Sequence, residues 1–213
     1  MQRKSTKPPG KAGGAPRMAP RQVRIIGGQW KRTPLPVLEA EGLRPTPDRV
    51  RETLFNWLNH LFDGYWENKA CLDLFAGTGA LGFEAASRGA ARVLMVESFS
   101  PAARQLQATK DKLKAEQVAI TRGDALATVS GLQTREAGQF HVIFLDPPYH
   151  QDWLPRMLPL CAGLLAPGGL VYAEAEFALD GDEAPDWMAD WDVVRADKAG
   201  MVYFHLLQRK IPV

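Results

Sequence analysis

The chain is poor in cysteine, in long apolar runs and, over its first part, in acid. Cys71 and Cys161 are its only thiols, set in apolar surroundings without CxxC spacing. That excludes a disulfide framework or a zinc or redox pair, and it points to reduced core residues in a cytoplasmic protein. No apolar run approaches the ~20 residues that cross a bilayer, and no apolar segment follows the N-terminal charges, so neither a span nor a secretory leader is expected. The four histidines, His60, His141, His150 and His205, lack ligand spacing, and no metal site is expected.

Acid is missing from residues 1–38, which hold nine basic side chains; the other 175 residues carry 17 basic and 24 acidic ones, a net −7. A basic arm therefore precedes an acidic body, and such an arm suits polyphosphate because each neutralised phosphate releases counterions. Pro, Gly, Lys and Ala in residues 1–21 cannot build a core, so a disordered basic leader is expected there. With 213 residues and 46% hydrophobic content, the remainder suits a hairpin extension over 22–42 and one large α/β domain over 43–213.

Gln22 to Trp30 reads as two short strands about a Gly27-Gly28 turn. Leu43-Arg44-Pro45-Thr46-Pro47-Asp48 is a helix-start signature, with Thr46 as N-cap, Pro47 at the first helical position and Asp48 facing the dipole. The helix runs to about Phe62 with Val50, Leu54, Trp57, Leu58 and Leu61 on its apolar face, and its N-terminus beside Thr46 is a ready anion site. Strand-helix alternation follows from Ala70 to Ala175. Two late alternating strands, Trp191–Arg195 and Val202–Leu207, complete a doubly wound, seven-stranded mixed sheet with an antiparallel far edge.

Chemistry concentrates where strands end. Val142-Ile143-Phe144-Leu145 is apolar without alternation, a strand buried on both faces, and Asp146-Pro147-Pro148-Tyr149 follows it. The prolines stop pairing and leave their carbonyls free to accept, so the Asp146 carboxylate and the Pro147 carbonyl can take the two hydrogens of a planar NH₂ group. Tyr149 would stack on the ring that bears it. Gly77-x-Gly79-x-x-Gly82 follows the strand Cys71–Phe75, and Glu97 lies 20 residues beyond Gly77, as a dinucleotide fingerprint requires. Taken alone this fits NAD as readily as anything else. Asp73 inside the strand and Asp124 at the end of a later one tilt the reading to S-adenosylmethionine, whose ammonium, ribose and adenine amine would meet Asp73, Glu97 and Asp124. Thr46, Phe75 and Ala125 complete the expected cofactor set.

Asp73-Leu74-Phe75-Ala76-Gly77-Thr78-Gly79-Ala80-Leu81-Gly82 together with Asp146-Pro147-Pro148-Tyr149 resembles the class I S-adenosylmethionine-dependent methyltransferases that act on exocyclic nitrogens. Arg24-Ile25-Ile26-Gly27-Gly28-Gln29-Trp30, Leu43-Arg44-Pro45-Thr46 and Asp48 to Leu58 resemble, more narrowly, the bacterial RsmD family. The resemblance runs from about residue 22 to the end. It implies a Rossmann-like fold, a monomer, and methylation of a guanine N2 in 16S ribosomal RNA or the small subunit, at a site of the guanine-966 type. It also implies RNA contacts at Arg24, Trp30, Lys31, Arg32, Arg49 and Arg51. Two departures stand out: the family usually follows Trp30 with Arg-Gly-Arg, where this chain has Lys31-Arg32-Thr33, and Pro47 replaces a usual Thr or Ser. Adenine-N6 methylation of DNA or RNA, an NAD-dependent oxidoreductase, and a non-catalytic ribosome-associated RNA-binding protein are the alternative readings.

Overall fold

The computed structural model describes residues 23–38, 46–182 and 184–210. The expected basic leader, and Leu43, Arg44 and Pro45 of the helix-start signature, lie outside the described residues. Two short strands, β1 (Val23–Arg24) and β2 (Pro34–Leu35), precede helix α1 (Asp48–Leu61). Strand and helix then alternate through β3 (Ala70–Asp73), α2 (Ala80–Ser87), β4 (Arg92–Glu97), α3 (Ser100–Leu113), β5 (Val118–Arg122), α4 (Ala125–Leu132), β6 (Phe140–Leu145), α5 (Trp153–Ala162) and β7 (Leu165–Ala175). Strands β8 (Trp191–Ala199) and β9 (Val202–Arg209) close the fold.

Seven strands form one sheet in the order β5-β4-β3-β6-β7-β9-β8. β9 is antiparallel to both β7 and β8, while the other pairings are parallel. At the far edge, β9 takes the inner place because Phe204, Leu206 and Leu207 are buried, whereas Arg195 to Lys198 on β8 are exposed. The chain builds outward from β3 to β5 and then returns to lay β6 on the other side of β3. This reversal opens a crevice beyond the carboxyl ends of β3 and β6, where open α/β sheets bind ligands.

β6 owes its central position to its composition: Phe140, Val142, Ile143, Phe144 and Leu145 are all buried. Alternate side chains serve opposite layers. Val142 and Phe144 join Leu54, Phe55, Phe83 and Tyr172 on one face; Ile143 and Leu145 join Val129, Met157, Leu158 and Val171 on the other.

Two local expectations are corrected. β1 pairs with β2 rather than with a strand ending at Trp30, and Gly27-Gly28 is not the hairpin turn. Those glycines instead let the loop lie against the end of α2. The Glu84 carboxylate accepts from the N–H groups of Ile26 (2.6 Å) and Gly27 (2.9 Å), and Gln29 N–H donates to the Ser87 carbonyl at 2.7 Å. A Cβ on Gly28, which has φ +72°, would fall 1.9 Å from that carbonyl oxygen. On α1, the buried stripe is Val50, Arg51, Leu54, Phe55 and Leu58; Leu61 is exposed and Trp57 half-buried.

Candidate active site

The loop after β3 is held by the strands beside it. Leu74 N–H donates to the Phe144 carbonyl (3.2 Å) and Ala76 N–H to the Val96 carbonyl (3.0 Å), extending the ladders past the strand end. Glu97 spans the next turn, accepting from Gly77 N–H at 2.8 Å with Oε2 and from Phe99 N–H at 2.7 Å with Oε1. Asp73, almost fully buried, accepts from Gly82 N–H at 3.0 Å. Burial pushes its carboxyl up to about 7, with the Gly82 N–H pulling it back and the charge of Asp146 adding to the rise.

Strand ends and loops surround a cavity of about 1030 Å³. Its wall contains Thr46, Asp73, Phe75, Gly77, Glu97, Asp124 and Ala125, and also Asp146, Pro147, Pro148 and Tyr149. The acids expected at separate strand ends therefore open into one space. Gly79 does not line it. With φ +77° it turns the chain into α2, and a Cβ there would strike Phe83 and Leu106 in the interior, so this glycine serves packing. Asp124 gives Oδ1 to Ala127 N–H at 2.9 Å as the N-cap of α4.

Thr46 is displaced from its expected role. Pro47 occupies the cap of α1 and makes no side-chain bond, while the Thr46 hydroxyl donates to Asp146 Oδ2 at 2.9 Å. Arg51, expected to touch RNA, is fully buried and cannot do so. Its guanidinium donates to the carbonyls of Arg24 (2.8 Å) and Thr46 (3.3 Å) and to Asp48 Oδ1 (2.6 Å). It thus ties the N-terminal strands to the residue that holds Asp146. Arg24, Lys31, Arg32 and Arg49 are exposed, with Arg24 also 3.2 Å from Asp48. Trp30 is half-buried against the core, and its backbone N–H donates to Ser87 Oγ at 2.9 Å. Arg32 has φ +71°, a left-handed backbone that glycine adopts freely and that an arginine holds here.

Three participants were not expected. Phe99, 44% exposed, lines the cavity beside Glu97; its signal is an aromatic residue between a strand end and a helix start. Trp153 meets Phe75 edge-on at 5.1 Å on the same wall. Glu174 is buried on β7 and interacts with Asp146; its signal, a lone acid in an apolar strand, is the one that marked Asp73. Burial raises Asp146 to about 6, opposed by its hydrogen bonds with Thr46 and Glu174.

His150 is exposed, but its imidazole and its N–H both reach the Glu176 carboxylate, at 2.6 and 2.5 Å. Burial pushes the Cys71 and Cys161 thiols up to about 12, away from thiolate chemistry.

The family profile described as "Conserved hypothetical protein 95" matches residues 23–208. Ribosomal RNA small subunit methyltransferase D of Escherichia coli K12 is 38% identical over 191 residues, covering 89% of this chain and 91% of that protein. This chain belongs to the RsmD methyltransferase family. The Haemophilus influenzae protein of the same name is 39% identical, covering 88% of this chain and 94% of that one. Among solved structures, yhhF of Escherichia coli, described as a candidate methyltransferase, superposes with a TM-score of 0.74 at 36% identity, over 89% of this chain and 98% of its own. The RsmD match begins at β1, so the N-terminal strands and the seven-stranded sheet fall within one family region.

Proposed function

We propose that this chain transfers a methyl group from S-adenosylmethionine to the exocyclic N2 of a guanine in 16S ribosomal RNA, at a site of the guanine-966 type. One observation carries the reading: Asp146-Pro147-Pro148-Tyr149 opens into the same cavity as Asp73, Gly77, Glu97 and Asp124. The names of the relatives, ribosomal RNA small subunit methyltransferase D, support the class of substrate.

The residues suit such a methyl donor. Asp73 offers a carboxylate to an ammonium, Glu97 has lone pairs for ribose hydroxyls beyond those used by Gly77 and Phe99, Asp124 offers an acceptor to an adenine amine, and Phe99 presents a flat face. When bound, the donor supplies an electrophilic methyl on a sulfonium.

A guanine amine is a weak nucleophile because its lone pair is delocalised into the ring. Asp146 and the Pro147 carbonyl accept its two N–H groups in a geometry suited to a pyramidal, partly cationic nitrogen, and so favour the transition state over the flat ground state. The N–C bond forms as the C–S bond breaks, its electron pair leaving with sulfur. The nitrogen turns acidic only as it gains the methyl, and its proton passes to Asp146 or to water. Tyr149 stacks on the extruded base, a contact worth ~1–3 kcal/mol.

Arg24, Lys31, Arg32 and Arg49, all exposed, hold the RNA backbone together with the basic leader over 1–21. In this reading the segment 22–42 is an RNA-gripping extension of the catalytic domain 43–213, and the protein works as a cytoplasmic monomer. Unstacking costs least in a loop, which favours such a target over duplex. The test is transfer of tritiated methyl to ribosomal RNA from a strain lacking this protein, with DNA as the comparison. Label on N2 of one guanine of 16S RNA is expected; label on adenine N6, or on DNA alone, would overturn the assignment.

A further inference from the structure

The methyl-transfer chemistry above makes no use of Glu174, although this side chain is 3% exposed and in contact with Asp146. The fold places it there by register. Phe144 pairs with Tyr172 and Leu145 with Ala173 across β6 and β7, so one step further sets Asp146 beside Glu174. By strand alternation Phe144 and Asp146 share a face with Tyr172 and Glu174. Phe144 and Tyr172 pack in the same layer as Val50 of α1, and Thr46 approaches from just before that helix.

Donors and acceptors can be counted in this cluster. The Thr46 hydroxyl donates its one proton to Asp146 Oδ2 at 2.9 Å, and the Tyr172 hydroxyl donates its one proton to Glu174 Oε1 at 2.7 Å. What remains is the contact between the two carboxyls, with the Thr46 side chain in reach of Glu174 as well as of Asp146. Two ionised carboxylates are acceptors only, so a hydrogen bond between these two requires one proton. Without it, two like charges would face each other in a buried site.

We propose that Glu174 is the positioning residue for Asp146, holding one shared proton between the two carboxyls so that Asp146 meets the substrate amine with a fixed orientation and a single negative charge. The inference rests on the methyl-transfer reading and names the group that sets its central residue. The surroundings agree. Burial first, and then the charge of Asp146, hold the Glu174 carboxyl well above the usual range, whereas Asp146 rises only to about 6. The groups acting on the pair are Thr46, Tyr172 and each other; Asp73 of β3 in turn feels the charge of Asp146, and Tyr149 acts on Tyr172. Among the described residues, no cation acts on either carboxyl.

Glu174→Gln and Glu174→Ala in the full chain test this. The amide keeps a donor for Asp146 and an acceptor for Tyr172 but has no proton to lose; alanine has neither. With the 16S RNA substrate at pH 8, Glu174→Gln should keep kcat within about threefold, while Glu174→Ala should lose it by about 30- to 100-fold with KM for the methyl donor unchanged. Infrared spectroscopy of the protein alone at pH 8, above the titrations of Asp73 and Asp146, should show a protonated-carboxyl stretch that disappears in Glu174→Gln. Absence of that band in the parent protein, its persistence in Glu174→Gln, or equal loss of kcat in both variants would overturn the proposal. The parent protein's own transfer to RNA tests the functional reading separately, since the infrared band needs no substrate.

Discussion

The Thr46 hydroxyl donates to Oδ2 of Asp146 at 2.9 Å, joining the approach to α1 with the end of β6 across 100 residues of chain. Arg51 holds the Thr46 carbonyl in turn and reaches on to Arg24. The orientation of the Asp146 carboxylate is thus coupled to the N-terminal strands through two side chains.

Removing that hydroxyl while keeping the shape should free Asp146 to rotate. Thr46→Val is expected to lower kcat by about tenfold or more, since a hydrogen bond to a charged acceptor is worth about 1.5–3 kcal/mol. Thr46→Ser should restore most of the rate. Steady-state methyl transfer checks both, and equal rates in all three proteins would remove Thr46 from the account.

Under the proposed function, Asp73 should make donor binding pH-dependent. Its carboxyl is raised from 3.8 to about 7 in the fold, so the folded state keeps a proton that the unfolded chain loses. Stability from this group is complete below about pH 4 and is lost as pH rises through about 7. Binding of a cationic ammonium needs the ionised form, so donor affinity should climb by up to tenfold per pH unit below 7 and level off above it. Asp73→Asn should bind the donor weakly and without this slope, and should be more stable than the parent at pH 8 by up to about 4 kcal/mol. Calorimetric titration and thermal unfolding at pH 5, 6, 7 and 8 measure both trends.

Gly28→Ala should damage the fold rather than the chemistry. The new methyl would meet the Ser87 carbonyl at 1.9 Å, at a φ of +72° that alanine resists. Overpacking of this kind costs roughly 1–3 kcal/mol, and the backbone conformation adds to that. Denaturant unfolding should report the loss, with donor affinity at low temperature little changed.

Arg32 retains a left-handed backbone without glycine's freedom. Arg32→Gly should leave stability equal or raise it by about 1 kcal/mol through relief of that conformation. It should also reduce the slope of log affinity for RNA against log salt by about 1, as loss of one phosphate contact requires. An unchanged slope would mean that the arginine does not touch phosphate.

The acids at the strand ends were legible because a carboxylate in an apolar strand is costly unless it is used, and the same rule should have marked Glu174. The sheet was legible because β6 and its neighbours lack polar alternation. The cap of α1 was misplaced by one residue: Pro47 holds the position that local preference assigns to Thr46. Thr46 follows a distant partner, Asp146, that no local rule contains. Arg51 was misread because a charged side chain is exposed by default, whereas here two carbonyls and Asp48 satisfy it in the interior. Gly27-Gly28 looked like a turn because sequence does not show that α2 would lie against it.

In the proposed mechanism Asp146 acts on the substrate amine and not on the methyl donor. Asp146→Ala, assayed for methyl transfer to 16S ribosomal RNA beside calorimetric titration with S-adenosylmethionine, separates the two. Turnover should vanish while donor affinity stays within a few fold of the parent protein; transfer at the parent rate would contradict the account.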